Sequence, residues 1–383
     1  MRILHLIYDD IGNPWVGGGG ATRTLEIYSR IAARDHAVLV ACGHYPGASR
    51  RDVRQGVRYR RLGSARSHIW SRLTFMKGAA RLIMRGGYDI VIEDVSPYSP
   101  LFSPVLSPHR PAVASVQNLS GRHATGKYGW LGVGPRMVER PLLRAFRNFV
   151  AVSPGVADEL KVIVPDASIR VVPNSAGSIF SGAAERETRG NPYILSLGRV
   201  DVYQKGLDRL VRAFDTIAEK SHSIQLVLAG SGPREQEEIL RNLVAGSKHI
   251  DRITLLSQVS QERAAELMKG ALLLAMPSRY EAWPLTAVEA GAAGTPVVGS
   301  DIVGVRDAAP PYPIAHGYLV PDGDEEALVD AIIRMAGDSE LRRSLGTRGR
   351  EWARNFTWDA LAEQQLQFYQ ELVSGRDAPQ NSL

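Results

Sequence analysis

The chain has 383 residues, 44% hydrophobic and 22% charged, the composition of a folded globular protein long enough for two cores. Its single cysteine, Cys42, excludes an internal disulfide, and no apolar run approaches the roughly 20 residues that a membrane helix needs. Charge is uneven: residues 1–184 carry 24 Lys and Arg against 12 Asp and Glu, whereas residues 185–383 carry 22 against 28, so the first half is expected to meet something anionic.

In chain order, residues 1–8 are too short and too soon charged for a signal peptide and read as a first strand. Short β-prone apolar runs recur over 3–8, 37–41, 90–93, 112–116, 149–152 and 170–172, then over 193–197, 225–229, 253–256, 272–276 and 296–298. Stretches with i, i+3, i+4 periodicity lie between many of them, such as 207–218 and 261–268. This βαβα rhythm predicts parallel sheets covered on both faces. Residues 181–192 are polar, contain glycine and lack periodicity, which predicts an N-terminal domain over 1–184 and a C-terminal domain over 185–359. A closing helix over about 360–375 is expected to pack back on the first domain.

Gly17, Gly18, Gly19 and Gly20 follow the first strand and precede a predicted helix over 21–32. They let backbone N–H groups approach a ligand, or form a loop that orders on binding. Their register is not G-x-G-x-x-G, and no acidic ribose partner follows the second strand. Residues 50–85 hold 11 basic residues against one acid, Asp52. That stretch reads either as a site for membrane headgroups or a phosphorylated acceptor, or as a solvated arginine face with Trp70 and Phe75 in the core. No nucleic-acid-binding module occurs, so nucleic acid is not an expected partner. Gln117 follows the strand over 112–116, and its amide can both donate and accept hydrogen bonds. His123 reads as a general base or as a merely exposed loop residue.

In the second half, Gly198 and Arg199 close one strand, and Lys205 with Gly206 opens a helix. Arginine and lysine supply a fork and a point charge for phosphate oxygens. Gly230 begins a glycine-rich turn that a simple βα connection would also explain. Glu281 and Glu289 bracket Ala282, Trp283, Pro284 and Leu285, where Pro284 and Thr286 suit a first helical turn. A helix N-terminus above a strand end favours a diphosphate, and carboxylates beside it can accept hydrogen bonds from ribose and sugar hydroxyls. Taken alone, that E-x7-E spacing fits solvated helix-end carboxylates as well. Asp322 and Asp324 have the D-x-D spacing of a metal site, but Asp324 suits a helix N-cap, and no metal or cofactor is expected.

The run from Pro277-Ser278-Arg279-Tyr280-Glu281 to Pro296-Val297-Val298, with Ala290, Ala292 and Gly294, resembles the donor-binding signature of retaining glycosyltransferases of the GT-B fold, glycosyltransferase family 4. Smaller matches at Val152-Ser153-Pro154, Val172-Pro173-Asn174 with Phe180, Gly317-Tyr318-Leu319 and Phe356-Thr357-Trp358 extend the resemblance over nearly the whole chain. It implies an α/β protein of GT-B architecture, with two Rossmann-like, doubly wound parallel-sheet domains facing across a cleft. It also implies a cytoplasmic, metal-independent enzyme without a cofactor that moves a sugar from a UDP or GDP type nucleotide-sugar donor to a hydroxyl acceptor (a sugar, a lipid-linked group or a small molecule). By resemblance, Arg199 and Lys205 grip the diphosphate, Glu289 the ribose and Glu281 the sugar hydroxyls. Gly198, Gly230 and the backbone of Ala282, Trp283, Pro284 and Leu285 line the donor, and the loop Gly17 to Gly20 faces its phosphates. Gln117 stands near where the family often carries a histidine, and Ser175-Ala176-Gly177 replaces the usual Gly-Val-Asp. A GT-B epimerase or phosphorylase, and a nucleotide-sugar-binding subunit without turnover, would share this architecture.

Overall fold

A computed structural model describes residues 1–16, 18–119, 133–181 and 191–375. The chain divides into two compact units, one made of Met1–Asn174 and the residues from Trp358 onward, the other of Ser175–Thr357.

In the first unit, β1 (Arg2–Leu6), β2 (Ala37–Gly43), β3 (Arg51–Arg54), β4 (Val57–Leu62), β5 (Ile90–Asp94), β6 (Ala112–Val116), β7 (Asn148–Ala151) and β8 (Ser168–Val171) form one sheet. Their order is β3-β4-β2-β1-β5-β6-β7-β8, parallel throughout except for the antiparallel pair β3–β4. Central strands read as largely apolar runs because both faces are covered: Ile3, Leu4, Val38, Val40, Ile90 and Ile92 are buried. The helix Gly19–Ala32 buries Ala21, Thr24, Ile27, Tyr28 and Ile31, a stripe at helical spacing. Against it packs the terminal helix Trp358–Ser374. Buried Arg23 fastens the two, donating to Gln365 Oε1 at 2.7 Å, to Asn174 Oδ1 and to the carbonyls of Val172 and Pro173. Tyr28 and Tyr369 share a hydroxyl contact of 3.1 Å.

Strands β3 and β4 lie in the arginine-rich stretch and have no counterpart in the apolar pattern. Their arginines occupy positions that a hydrophobic count discards, and Arg61 points into the protein with 2% exposure. Phe75 is buried as expected for a core residue, but Trp70 is 57% exposed. The helix His68–Arg85 turns Ser71, Phe75, Ala79 and Leu82 inward, and Trp70 lies off that stripe.

In the second unit, β9 (Tyr193–Leu197), β10 (Gln225–Ala229), β11 (Ile253–Leu256), β12 (Leu273–Met276), β13 (Val297–Ser300) and β14 (Gly317–Val320) form a parallel sheet of order β11-β10-β9-β12-β13-β14. Helix Leu207–Lys220 covers it with Leu210, Val211, Phe214 and Ile217 fully or nearly buried, each worth about 1.5–3 kcal/mol relative to exposure. The units divide at Asn174, ahead of the boundary expected at 184. Ser178–Phe180 forms a 3-10 turn with Phe180 buried, and Lys269 donates to the Ile179 carbonyl at 3.1 Å, so this segment belongs to the second core. Most of the expected linker lies outside the described residues. Among those described, no helix is long and apolar enough to cross a membrane.

Candidate functional site

In the second sheet, the strand order reverses between β9 and β12, and a crevice opens beyond their carboxyl ends. Gly198, Arg199, Lys205, Met276 and Ser278 line a pocket there. Two loops build its rim. The loop after β9 is held by Asp201, whose side chain accepts from Gln204 N at 3.1 Å and caps the short helix Val202–Lys205. The loop after β12 docks on it: Arg279 N donates to the Gln204 carbonyl at 2.9 Å, and the Arg279 guanidinium forks onto both Asp208 oxygens at 2.7 Å.

This docking sets Lys205 Nζ 2.6 Å from Glu281 Oε1, while Ser278 Oγ donates to the same oxygen at 3.0 Å. Glu281 is buried, and Lys205 is one-fifth exposed. Arg199 is exposed and, among the described residues, has no carboxylate partner. Just beyond begins the helix Leu285–Ala293. Its N-terminus has no side-chain cap and no acid in the first turn, so its leading N–H groups are available to an anion.

Glu289 lies one turn into that helix, half-buried and without a hydrogen-bonding partner among the described residues. Burial pushes its carboxyl up to about 7. Beneath the same helix, fully buried His316 sits 2.7 Å from the Ala287 carbonyl, so Nε2 carries the proton that it donates. Burial pushes this imidazole down to about 4. A neutral histidine thus pins the helix that carries Glu289.

The expected donor residues divide by what they touch. Gly198, Arg199, Lys205 and Glu281 meet at the crevice, with Ala282 and Leu285 partly exposed beside it. Gly230 packs on the same loop: at φ 136°, a Cβ there would come within 1.8 Å of the Gly198 carbonyl oxygen. Pro284 is buried, and Trp283 points into the unit, its ring 5.4 Å from Phe356 in an edge-on contact. Asp324 caps its helix by accepting from Ala327 N at 2.9 Å, and Asp322 accepts from Arg209 at 2.6 Å.

In the first unit, Gly18 precedes the helix Gly19–Ala32 in extended conformation, and Gly19 and Gly20 form its first turn. The helix therefore starts two residues earlier than expected, again without a side-chain cap. Gln117 is at the carboxyl end of β6, donating to Ser115 Oγ at 3.3 Å and accepting from Asn174 Nδ2 at 3.4 Å. Gly17 and His123 lie outside the described residues.

Sequence reasoning assigned no role to Ser278 or His316. Ser278 was visible in the motif but carries no chemistry until folding brings it onto Glu281. His316 had no signal, because an isolated histidine ahead of a strand gives no hint of its burial.

Residues 17–176 match the family described as Glycosyltransferase Family 4, and residues 182–352 match Glycosyl transferases group 1. The chain is 33% identical over 182 residues to phosphatidyl-myo-inositol mannosyltransferase of Mycobacterium leprae, an overlap of 47% of each protein. Sucrose-phosphate synthase of Thermosynechococcus elongatus has the same fold, with a TM-score of 0.84 at 24% identity over 98% of this chain and 99% of that one. HepE of Anabaena, solved in complex with UDP-glucose, matches at a TM-score of 0.76 and 14% identity over 97% and 100%. The chain spans about half the length, or less, of the first curated relatives that it matches.

Proposed function

We propose that the chain, whose two halves match the Glycosyltransferase Family 4 and Glycosyl transferases group 1 models and which has the GT-B fold, moves a sugar from a UDP or GDP type nucleotide sugar to a hydroxyl acceptor, with retention and without a metal. The observation that carries this reading is the convergence at one sheet edge of Lys205, exposed Arg199, an uncapped helix N-terminus at Leu285 and two carboxylates of different environment.

In this reading Arg199, Lys205 and the N–H groups at Leu285 take the diphosphate. Positive charge there stabilises the departing diphosphate more in the transition state than in the ground state, the role a divalent cation has in other transferases. Glu289 accepts from ribose hydroxyls and Glu281 from the sugar. The acceptor oxygen attacks the anomeric carbon on the face that the diphosphate leaves, and its proton passes to the leaving phosphate oxygen. No protein nucleophile is needed. The first unit, with Gln117, is assigned to the acceptor.

Thermal unfolding with UDP, GDP, ADP and TDP, in chelator, tests the donor assignment. A nucleotide at about 100 times its Kd adds about 2.7 kcal/mol, enough to raise the midpoint by several degrees. A rise with one of them supports the reading and names the base. No rise with any overturns it, and an inverted anomeric configuration in the product overturns the proposed mechanism.

A further inference from the structure

At the edge of the first sheet, the antiparallel register sets Arg51 opposite Arg60 and Val53 opposite Arg58. Side chains of directly paired strand residues share a face, and alternate residues of one strand do too. Arg51, Arg58 and Arg60 therefore stand on one face. With Leu39, Val53 and Tyr88 they line an open groove of about 560 Å³.

The opposite face of the same two strands also carries arginines, and there every charge is answered. Arg61 bonds Asp10 at 2.7 Å and Asp52 at 3.3 Å, and Arg54 bonds the same two carboxylates at 2.8 and 2.9 Å. Burial pushes the Asp10 carboxyl up, but its hydrogen bonds and ion pairs with these arginines hold it below the usual range. On the groove face, no carboxylate of the described residues pairs with Arg51, Arg58 or Arg60. Asp52, at the groove edge, is already held by Arg54 and Arg61. Burial raises the Tyr88 hydroxyl, while the nearby charges of Arg60 and Arg58 pull it the other way. Like charges set directly across a strand pair are destabilising. A fold that neutralises one face and leaves three arginines around a groove on the other bears that cost locally, as binding sites do.

We propose that this groove binds a phosphate-bearing ligand at a site distinct from the residues assigned to the donor. Guanidinium forks match phosphate oxygens in pairs, and Leu39 and Val53 offer an apolar flank to whatever bears the phosphate. The phosphate could belong to a soluble compound or to a lipid headgroup.

Calorimetric titration of inorganic pyrophosphate compares the full chain with Arg51→Gln/Arg58→Gln/Arg60→Gln and with Arg199→Gln/Lys205→Gln. The triple variant should lose one binding event or weaken it at least about tenfold, and the second variant should keep that event. The single change Arg58→Gln carries the same test if the triple variant fails to fold. Sedimentation with phosphatidylcholine vesicles, with and without phosphatidylglycerol, separates the sources. Arginine-dependent sedimentation assigns the phosphate to a lipid headgroup, and a pyrophosphate effect without sedimentation assigns it to a soluble ligand. Binding of neither probe by the full chain, or binding unchanged by the arginine substitutions, overturns the proposal.

Discussion

Lys205 and Glu281 are bonded at 2.6 Å, and Ser278 donates to the same carboxylate oxygen. The cation assigned to a diphosphate is therefore coupled to the carboxylate assigned to a sugar. Removing Lys205 strands a buried carboxylate, whereas neutralising Glu281 as well removes the stranded charge. Lys205→Ala should lower stability by about 2 kcal/mol, and Lys205→Ala/Glu281→Gln should recover most of it. Urea unfolding of both single variants and the double gives the coupling, and strictly additive losses would show the two to be independent.

Glu289 differs from Glu281 in having no partner among the described residues and in being held up to about 7 by burial. Hydroxyl donors favour its ionised form, so a ligand that uses them must drive off a proton below that pH. Nucleotide affinity should rise with pH toward 7 and level off above it, by up to about tenfold per unit on the acid side. The Glu289→Gln variant keeps any titration of the nucleotide itself and should lack this added slope. In kinetics, Glu289→Ala should weaken nucleotide binding and Glu281→Ala should mainly lower kcat. Equal loss of nucleotide affinity in both would refute the division of roles.

Much of this was legible in the chain. The parallel strands of both units announce themselves because strands covered on two faces must be mostly apolar, as in Tyr193–Leu197 and Gln225–Ala229. Arg199, Lys205, Glu281 and Glu289 were legible because their backbone context, strand then loop then helix start, is local. Strands β3 and β4 were not, since Arg61 is inward-facing only by virtue of Asp10, some 50 residues away in sequence. The direction of the Trp283 ring was not legible either, because long-range packing against Phe356 decides where it points. Pairings across the chain leave no periodicity behind.

Gly206 joins the two rim loops. It has φ 65°, and a Cβ there would come within 1.9 Å of the Pro277 carbonyl oxygen. Alanine at this position meets both a left-handed backbone and a backbone clash, neither of which a rotamer change relieves. Gly206→Ala should cost about 2–4 kcal/mol in stability and push Lys205 away from Glu281. Calorimetric unfolding together with a nucleotide titration measures both effects, and a stable variant with unchanged nucleotide affinity would show that the docking of these loops is dispensable.

His316 and Glu289 sit under and on the same helix with shifts of opposite consequence. His316, pushed down to about 4 from 6.5, stays neutral in the folded state while the unfolded chain takes up a proton. Its contribution is complete above pH 6.5 and is lost as pH falls toward 4, up to about 3 kcal/mol. Glu289, raised to about 7 from 4.5, keeps its proton in the folded state longer than in the unfolded one. Its contribution is complete below pH 4.5 and is lost as pH rises toward 7, by a similar amount. Between about pH 4.5 and 6.5 the two slopes oppose each other and nearly cancel. Glu289→Gln should therefore make stability rise with pH across that window, and His316→Gln, which keeps an N–H for the Ala287 carbonyl, should make it fall. Denaturant titrations of the wild type and both variants at a series of pH values check the signs. If the two variants keep the wild-type slope, burial of these groups is not what governs the acid stability of this unit.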